Sequence, residues 1–128
     1  MIEPNSGSDS LGYHVPGDLA DVRAFVAARA TAIGLPARRV ELLVLAVSEL
    51  ATNTLQHTRG GGVVRVFAQP GVLVCDVVDQ GAARRLGRSM PAADAVGGRG
   101  LAIVERVCDE VETSAVPEGT RVRIRLRL

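Results

Sequence analysis

Residues 36 to 58 carry apolar side chains at helical spacing, with Leu42, Leu43, Val44, Leu45, Val47 and Leu50 supplying most of them. Glu49, Asn53 and His57 recur at every fourth position and form one polar stripe on that helix. Pro36 opens it where a missing N–H is harmless, and Gly60, Gly61 and Gly62 follow its end. An earlier helix is predicted over residues 18 to 33. Asp18 is its candidate N-cap, Leu19, Val22, Phe25 and Val26 form its apolar face, and Gly34 is its stop. Residues 13 to 15 read as a short edge strand before Pro16 and Gly17.

Beyond the glycines the period falls from helical to two. Residues 63 to 69 and 72 to 79 are rich in Val and read as a hairpin turning at Pro70 and Gly71. Residues 120 to 128 alternate without exception: Thr120, Val122, Ile124, Leu126 and Leu128 on one side, Arg121, Arg123, Arg125 and Arg127 on the other. A strand with one dry and one wet face belongs to a sheet covered by helices on one side. The expected architecture is therefore α+β, a two-layer sandwich with a mixed, mostly antiparallel sheet. The arginine stripe itself reads as solvated surface. The same alternation puts Asp79 on the face of Leu73, Cys75 and Val77, and Thr120 on that of Val122 and Ile124. Both polar groups then point toward the helices, as the Glu49 stripe does, although Asp79-Gln80-Gly81 is also good turn chemistry.

Burying an unpaired carboxylate costs several kcal/mol unless a cation, hydrogen bonds or water meet it. The stripe is thus expected to face a wet, ligand-holding cavity. Residues 82 to 97 show no convincing period, and Gly97, Gly98 and Gly100 precede a predicted helix with Leu101, Val104, Val107 and Cys108 on its apolar side. Glycines ahead of a helix let N–H groups approach an anion, but this spacing is neither a P-loop nor a dinucleotide fingerprint.

Size and charge narrow the partners. A chain of 128 residues fits one domain, and residues 1 to 12, rich in Ser, Gly, Pro and Asp, read as a disordered leader before a domain spanning 13 to 128. Fifteen basic and fourteen acidic residues leave a net charge of +1, which gives no general reason to bind nucleic acid or an anionic membrane. Cys75 and Cys108 each lie in an apolar run and read as reduced core thiols, which makes the cytoplasm the expected compartment. No signal peptide or membrane-length apolar run is present. Zinc on Glu49, Asn53 and His57 would want further His or Cys ligands, and His14 is the only other histidine.

Glu49 with Asn53 on a helix, Asp79-Gln80-Gly81 after a strand, Gly98-Arg99-Gly100-Leu101 opening another helix, and Gly119-Thr120 before the last strand occur in one order. In that order and setting, over residues 13 to 128, the chain resembles the GHKL, or histidine-kinase-like, ATPase superfamily, and within it the bacterial anti-sigma-factor serine/threonine kinases. The resemblance implies a Bergerat-type ATP-binding fold that takes ATP and Mg²⁺. It implies that Asn53 ligates the metal, that Glu49 is general base on the attacking hydroxyl, and that Asp79 accepts a hydrogen bond from the adenine amine. By the same resemblance Gly81 gives the base clearance and Thr120 completes its recognition. Gly98 and Gly100 offer N–H groups to the phosphates, with Arg99 and Leu101 in the same motif and residues 82 to 97 as a lid. Ala83 stands where the family's adenine motif has its second glycine.

The implied activity is phosphorylation of an anti-sigma factor antagonist, with the sigma factor regulated by partner switching. A second copy of the chain is a further candidate partner. The competing expectation is a non-catalytic, nucleotide-gated module that sequesters its partner. A third, the ATP-binding half of a sensor histidine kinase, would call for a dimerisation helix with a phospho-accepting histidine ahead of the domain, and residues 1 to 12 carry none.

Overall fold

The computed structural model describes residues 9–57, 60–80, 109–117 and 119–128. Five strands, β1 (Ser10–Tyr13), β2 (Gly62–Gln69), β3 (Val72–Gln80), β4 (Glu110–Val116) and β5 (Gly119–Arg127), form one sheet in the order β1-β2-β3-β5-β4. Every pairing among the described strands is antiparallel. Two helices, α1 (Leu19–Ile33) and α2 (Ala37–His57), pack on one face. The α+β layering expected from the alternation of residues 120 to 128 is the observed one.

Helix α1 buries Val22, Val26 and Ala30, one residue per turn. It stops at Gly34, whose φ of 119° is left-handed, with the Gly34 and Leu35 N–H groups returning to Ala30. Asp18 does not cap the helix by its side chain. Its Oδ2 instead accepts the backbone N–H groups of His14 (2.8 Å) and Val15 (3.2 Å), closing the turn ahead of the helix.

On α2 the buried residues are Val40, Leu43, Val47, Leu50 and Thr54, with Ala46 and Ala51, a stripe advancing by three or four. Leu42 and Leu45, which the sequence groups with the apolar residues of this helix, are 41% and 46% exposed. At 3.6 residues per turn a run of consecutive apolar residues is wider than the face that a sheet can cover.

Two strands depart from expectation. β1 starts at Ser10, inside the stretch read as leader, because the register Ser10↔Arg65 to Tyr13↔Gly62 gives the β2 edge its hydrogen-bond partners. Past the end of β1, Arg29 donates to the Val66 carbonyl at 3.2 and 3.1 Å. β4 was not anticipated. Its sequence, Glu-Val-Glu-Thr-Ser-Ala-Val, is too polar to announce a strand, and it is held as an edge by its pairing with β5.

The core joins both helices to the inner side of the sheet: Val64 and Val66 of β2, Leu73, Cys75 and Val77 of β3, Ile124 and Leu126 of β5. The Cys75 side chain is buried in it. At one end, Arg39 of α2 donates to the Arg127 carbonyl (2.8 Å) while the Arg127 N–H donates to Asp109 (2.6 Å). The other end of the same inner face is polar.

Candidate functional site

Register builds the site. Tyr13 pairs with Gly62, Gly62 with Asp79, and Asp79 with Thr120, so one row crosses β1, β2, β3 and β5 at the end of the apolar inner face. Asp79 and Thr120 are therefore direct cross-strand neighbours on the helix side, as the alternation of each strand requires. Both are half-buried, and the Asp79 Oδ1 atom is closed off from solvent. The Gln80 N–H donates to the Gly61 carbonyl (2.9 Å) and holds the end of β3 against the loop that enters β2.

Two of the consecutive glycines are required here for more than stopping a helix. Gly61 has a φ of 70°, and a Cβ on it would run into the Tyr13 carbonyl. At Gly62 a Cβ would lie 2.5 Å from the Val78 carbonyl and 2.6 Å from the Tyr13 hydroxyl. The phenol thus lies across the missing side chain of Gly62 and carries its hydroxyl from the edge strand toward Asp79.

Tyr13 is wholly buried, and burial pushes its hydroxyl up to about 12. Thr54 of α2 is its polar neighbour. Thr54 donates its own proton to the Leu50 carbonyl (3.0 Å), and its oxygen acts on the phenol as a side-chain hydrogen-bond partner that offsets part of the rise.

The Thr54 contact brings the last turns of α2 to the same end of the sheet as Asp79. Glu49 and Asn53 lie one turn apart on that helix and are both half-buried, reachable from outside without being in packed core. Sequence reasoning placed Asp79 and Thr120 on the helix side of the sheet, as their strands do here, but not as a cross-strand pair. It missed Tyr13, Thr54 and the steric demand at Gly61 and Gly62; the signal was an aromatic residue on an edge strand and adjacent glycines entering a strand. Gly81, Gly98, Arg99, Gly100, Leu101, the lid over residues 82 to 97, Cys108 and the helix expected from Leu101 lie outside the described residues, as does the His57 side chain.

The donor set suits a purine at this end. An acceptor-only carboxylate and a hydroxyl sit side by side above an apolar floor of Val77 and Val122, and the neighbouring Gly62 presents no side chain. The Asn53 carboxamide oxygen, one turn from a carboxylate, has the chemistry of a hard-cation ligand.

Comparison with known proteins agrees with this fold. Residues 15–126 match the model of the histidine kinase-like ATPase domain, and the chain belongs to that family. A solved histidine kinase domain, from the blue-light-activated histidine kinase of Erythrobacter litoralis, is 25% identical with a TM-score of 0.57, over 86% of this chain and 60% of that one. The chain therefore spans less than two thirds of that structure. No curated protein matches. Fold and family define an ATP-binding module of the GHKL superfamily. Among the described residues no helix is long and apolar enough to cross a membrane.

Proposed function

We propose that the chain is an ATP-dependent serine/threonine protein kinase of the anti-sigma-factor type, which phosphorylates an anti-sigma factor antagonist and regulates a sigma factor by partner switching in the cytoplasm. The observation that carries the nucleotide reading is the Asp79 and Thr120 pair closing an apolar inner face beneath the α2 end that bears Asn53. The kinase reading adds Glu49, one turn from Asn53, and the motifs that resemble that branch of the family.

In this reading Asp79 accepts the exocyclic amine of adenine, Gly81 gives the base room and Thr120 completes the contact. Asn53 holds Mg²⁺. The backbone of Gly98, Arg99, Gly100 and Leu101 receives the phosphates at a helix start. ATP with Mg²⁺ supplies the activated phosphoryl group. Glu49 takes the proton from the acceptor hydroxyl as its oxygen attacks, a role open to a carboxylate within reach of both metal and solvent.

The test is Glu49→Gln, which keeps size and hydrogen bonding but cannot accept the proton. Single-turnover phosphate transfer to an antagonist should fall by roughly 10²–10⁴-fold, with ATP affinity and melting temperature little changed. Normal transfer by the variant would remove Glu49 from the chemistry. Negligible transfer by both proteins, with equal nucleotide-dependent grip on a sigma factor, would identify a binding module instead. A lowered melting temperature without a selective kinetic loss would make Glu49 structural.

A further inference from the structure

The face of the sheet turned away from the helices is more ordered than a merely wetted surface requires. Arg65, Asp76, Arg123 and Glu112 are successive register partners across β2, β3, β5 and β4, so charge alternates along one row. Arg123 grips Asp76 through two hydrogen bonds of 2.7 Å, and the Asp76 side chain is only 2% exposed although no described helix covers this face. The Arg65 and Arg123 guanidinium carbons lie 5.1 and 5.8 Å from the Phe67 ring centroid. Stacked and ion-paired guanidinium groups are held in place, which lowers the entropy lost on meeting a partner.

Beside this row the face divides. Val63, Phe67, Val72 and Val78 form a partly exposed apolar half on β2 and β3. Arg121, Arg123, Arg125 and Arg127 form a cationic half on β5. Arg123 and Arg125 have carboxylate partners. Arg65, Arg121 and Arg127 have none at ion-pair distance among the described residues, and Arg121 donates only to the Ser114 hydroxyl (3.4 Å) among them.

We propose that this outer face docks an acidic protein segment that presents carboxylates beside apolar side chains, in the manner of an amphipathic helix. Guanidinium forks pair bidentately with carboxylates, while the Phe67 and valine half takes the apolar side. A second copy fits less well, because the carboxylates it would bring on this face, Asp76, Glu110 and Glu112, are already engaged by Arg123 and Arg125 and leave none for Arg65 and Arg121. Nucleic acid fits less well too, because a phosphate backbone would leave the Phe67 and valine half without an apolar partner.

The probe is a synthetic helical peptide with glutamates on one face and leucines on the other, titrated into the isotopically labelled full chain and read by amide chemical shifts. Shifts confined to β2, β3 and β5 are expected. Affinity should fall by about tenfold or more in the Arg65→Gln, Arg121→Gln double variant, which removes two guanidinium groups without setting a second carboxylate opposite Asp76, and a melting temperature near that of the original chain shows an intact fold. A peptide with lysines in place of the glutamates should bind the original chain at least about tenfold more weakly. Absence of shifts at about 1 mM peptide overturns the proposal. So do equal binding of a scrambled peptide of the same composition, tighter binding of duplex DNA, or self-association in sedimentation that Phe67→Ser abolishes.

Discussion

Asp76 and Asp79 stand on the same strand, and the pleat sends them to opposite sides of the sheet. Asp76, on the outer side, has Arg65 and Arg123 as cross-strand neighbours and is gripped by Arg123 through both oxygens. Asp79, on the inner side, has Gly62 and Thr120, neither of them charged. One carboxylate is thus ion-paired across the sheet. The other has no charged cross-strand neighbour and stands at the end of an apolar surface. The difference teaches that the chemical role of an aspartate in a sheet follows from which side of the register it occupies.

Breaking the outer pair should have the largest effect. Asp76→Ala leaves the Arg123 guanidinium, only 19% exposed, without its carboxylate and should lower stability by about 3 kcal/mol in denaturant unfolding. Asp76→Leu with Arg123→Met should recover most of that loss, since an apolar pair removes both desolvation costs. Nucleotide affinity should not change in either. A loss of affinity would mean that the two faces are not independent.

Next comes the glycine that lets Tyr13 cross β2. Gly62→Ala forces a methyl group against the Val78 carbonyl and the Tyr13 hydroxyl and should cost about 2 kcal/mol. Gly62→Ala with Tyr13→Phe relieves only the hydroxyl clash, so partial rescue in the double variant would locate the strain.

Asp79→Asn inverts the outcome of the Asp76 change. It exchanges an acceptor-only group for an amide, so ADP affinity should fall by about tenfold or more in calorimetry while the unfolding midpoint moves little. Unchanged affinity would remove Asp79 from base recognition.

The smallest effect concerns alkaline pH. Tyr13 is raised by burial from 10.0 to about 12, so the neutral phenol is favoured in the folded chain. Its contribution to stability is fully present below pH 10 and is lost as pH rises from there through about 12. The chain has one tyrosine and no tryptophan, so phenolate absorbance reports this residue alone. The folded protein should ionise near 12 and the denaturant-unfolded chain near 10. Coincident titrations would place the hydroxyl in contact with water.

Local pattern was enough to read much of this molecule. Strict alternation over residues 120 to 128 determined which side of β5 is dry, and Gly34 and Pro36 bounded the helices, because strand pleat and left-handed φ are properties of a few consecutive residues. Alternation also determined that Asp79 and Thr120 face the helices. Only tertiary structure decided the rest. The pairing of Asp79 with Thr120, and of Asp76 with Arg123, depends on register between segments more than forty residues apart in sequence, with separations of 41 and 47. That Leu42 and Leu45 stay exposed depends on how wide a helix face the sheet can cover. β4 forms because β5 offers it an open edge, despite a polar sequence. Tyr13 reaches the site because Gly62 leaves room above the neighbouring strand, and no local pattern carries information about a gap that another segment fills.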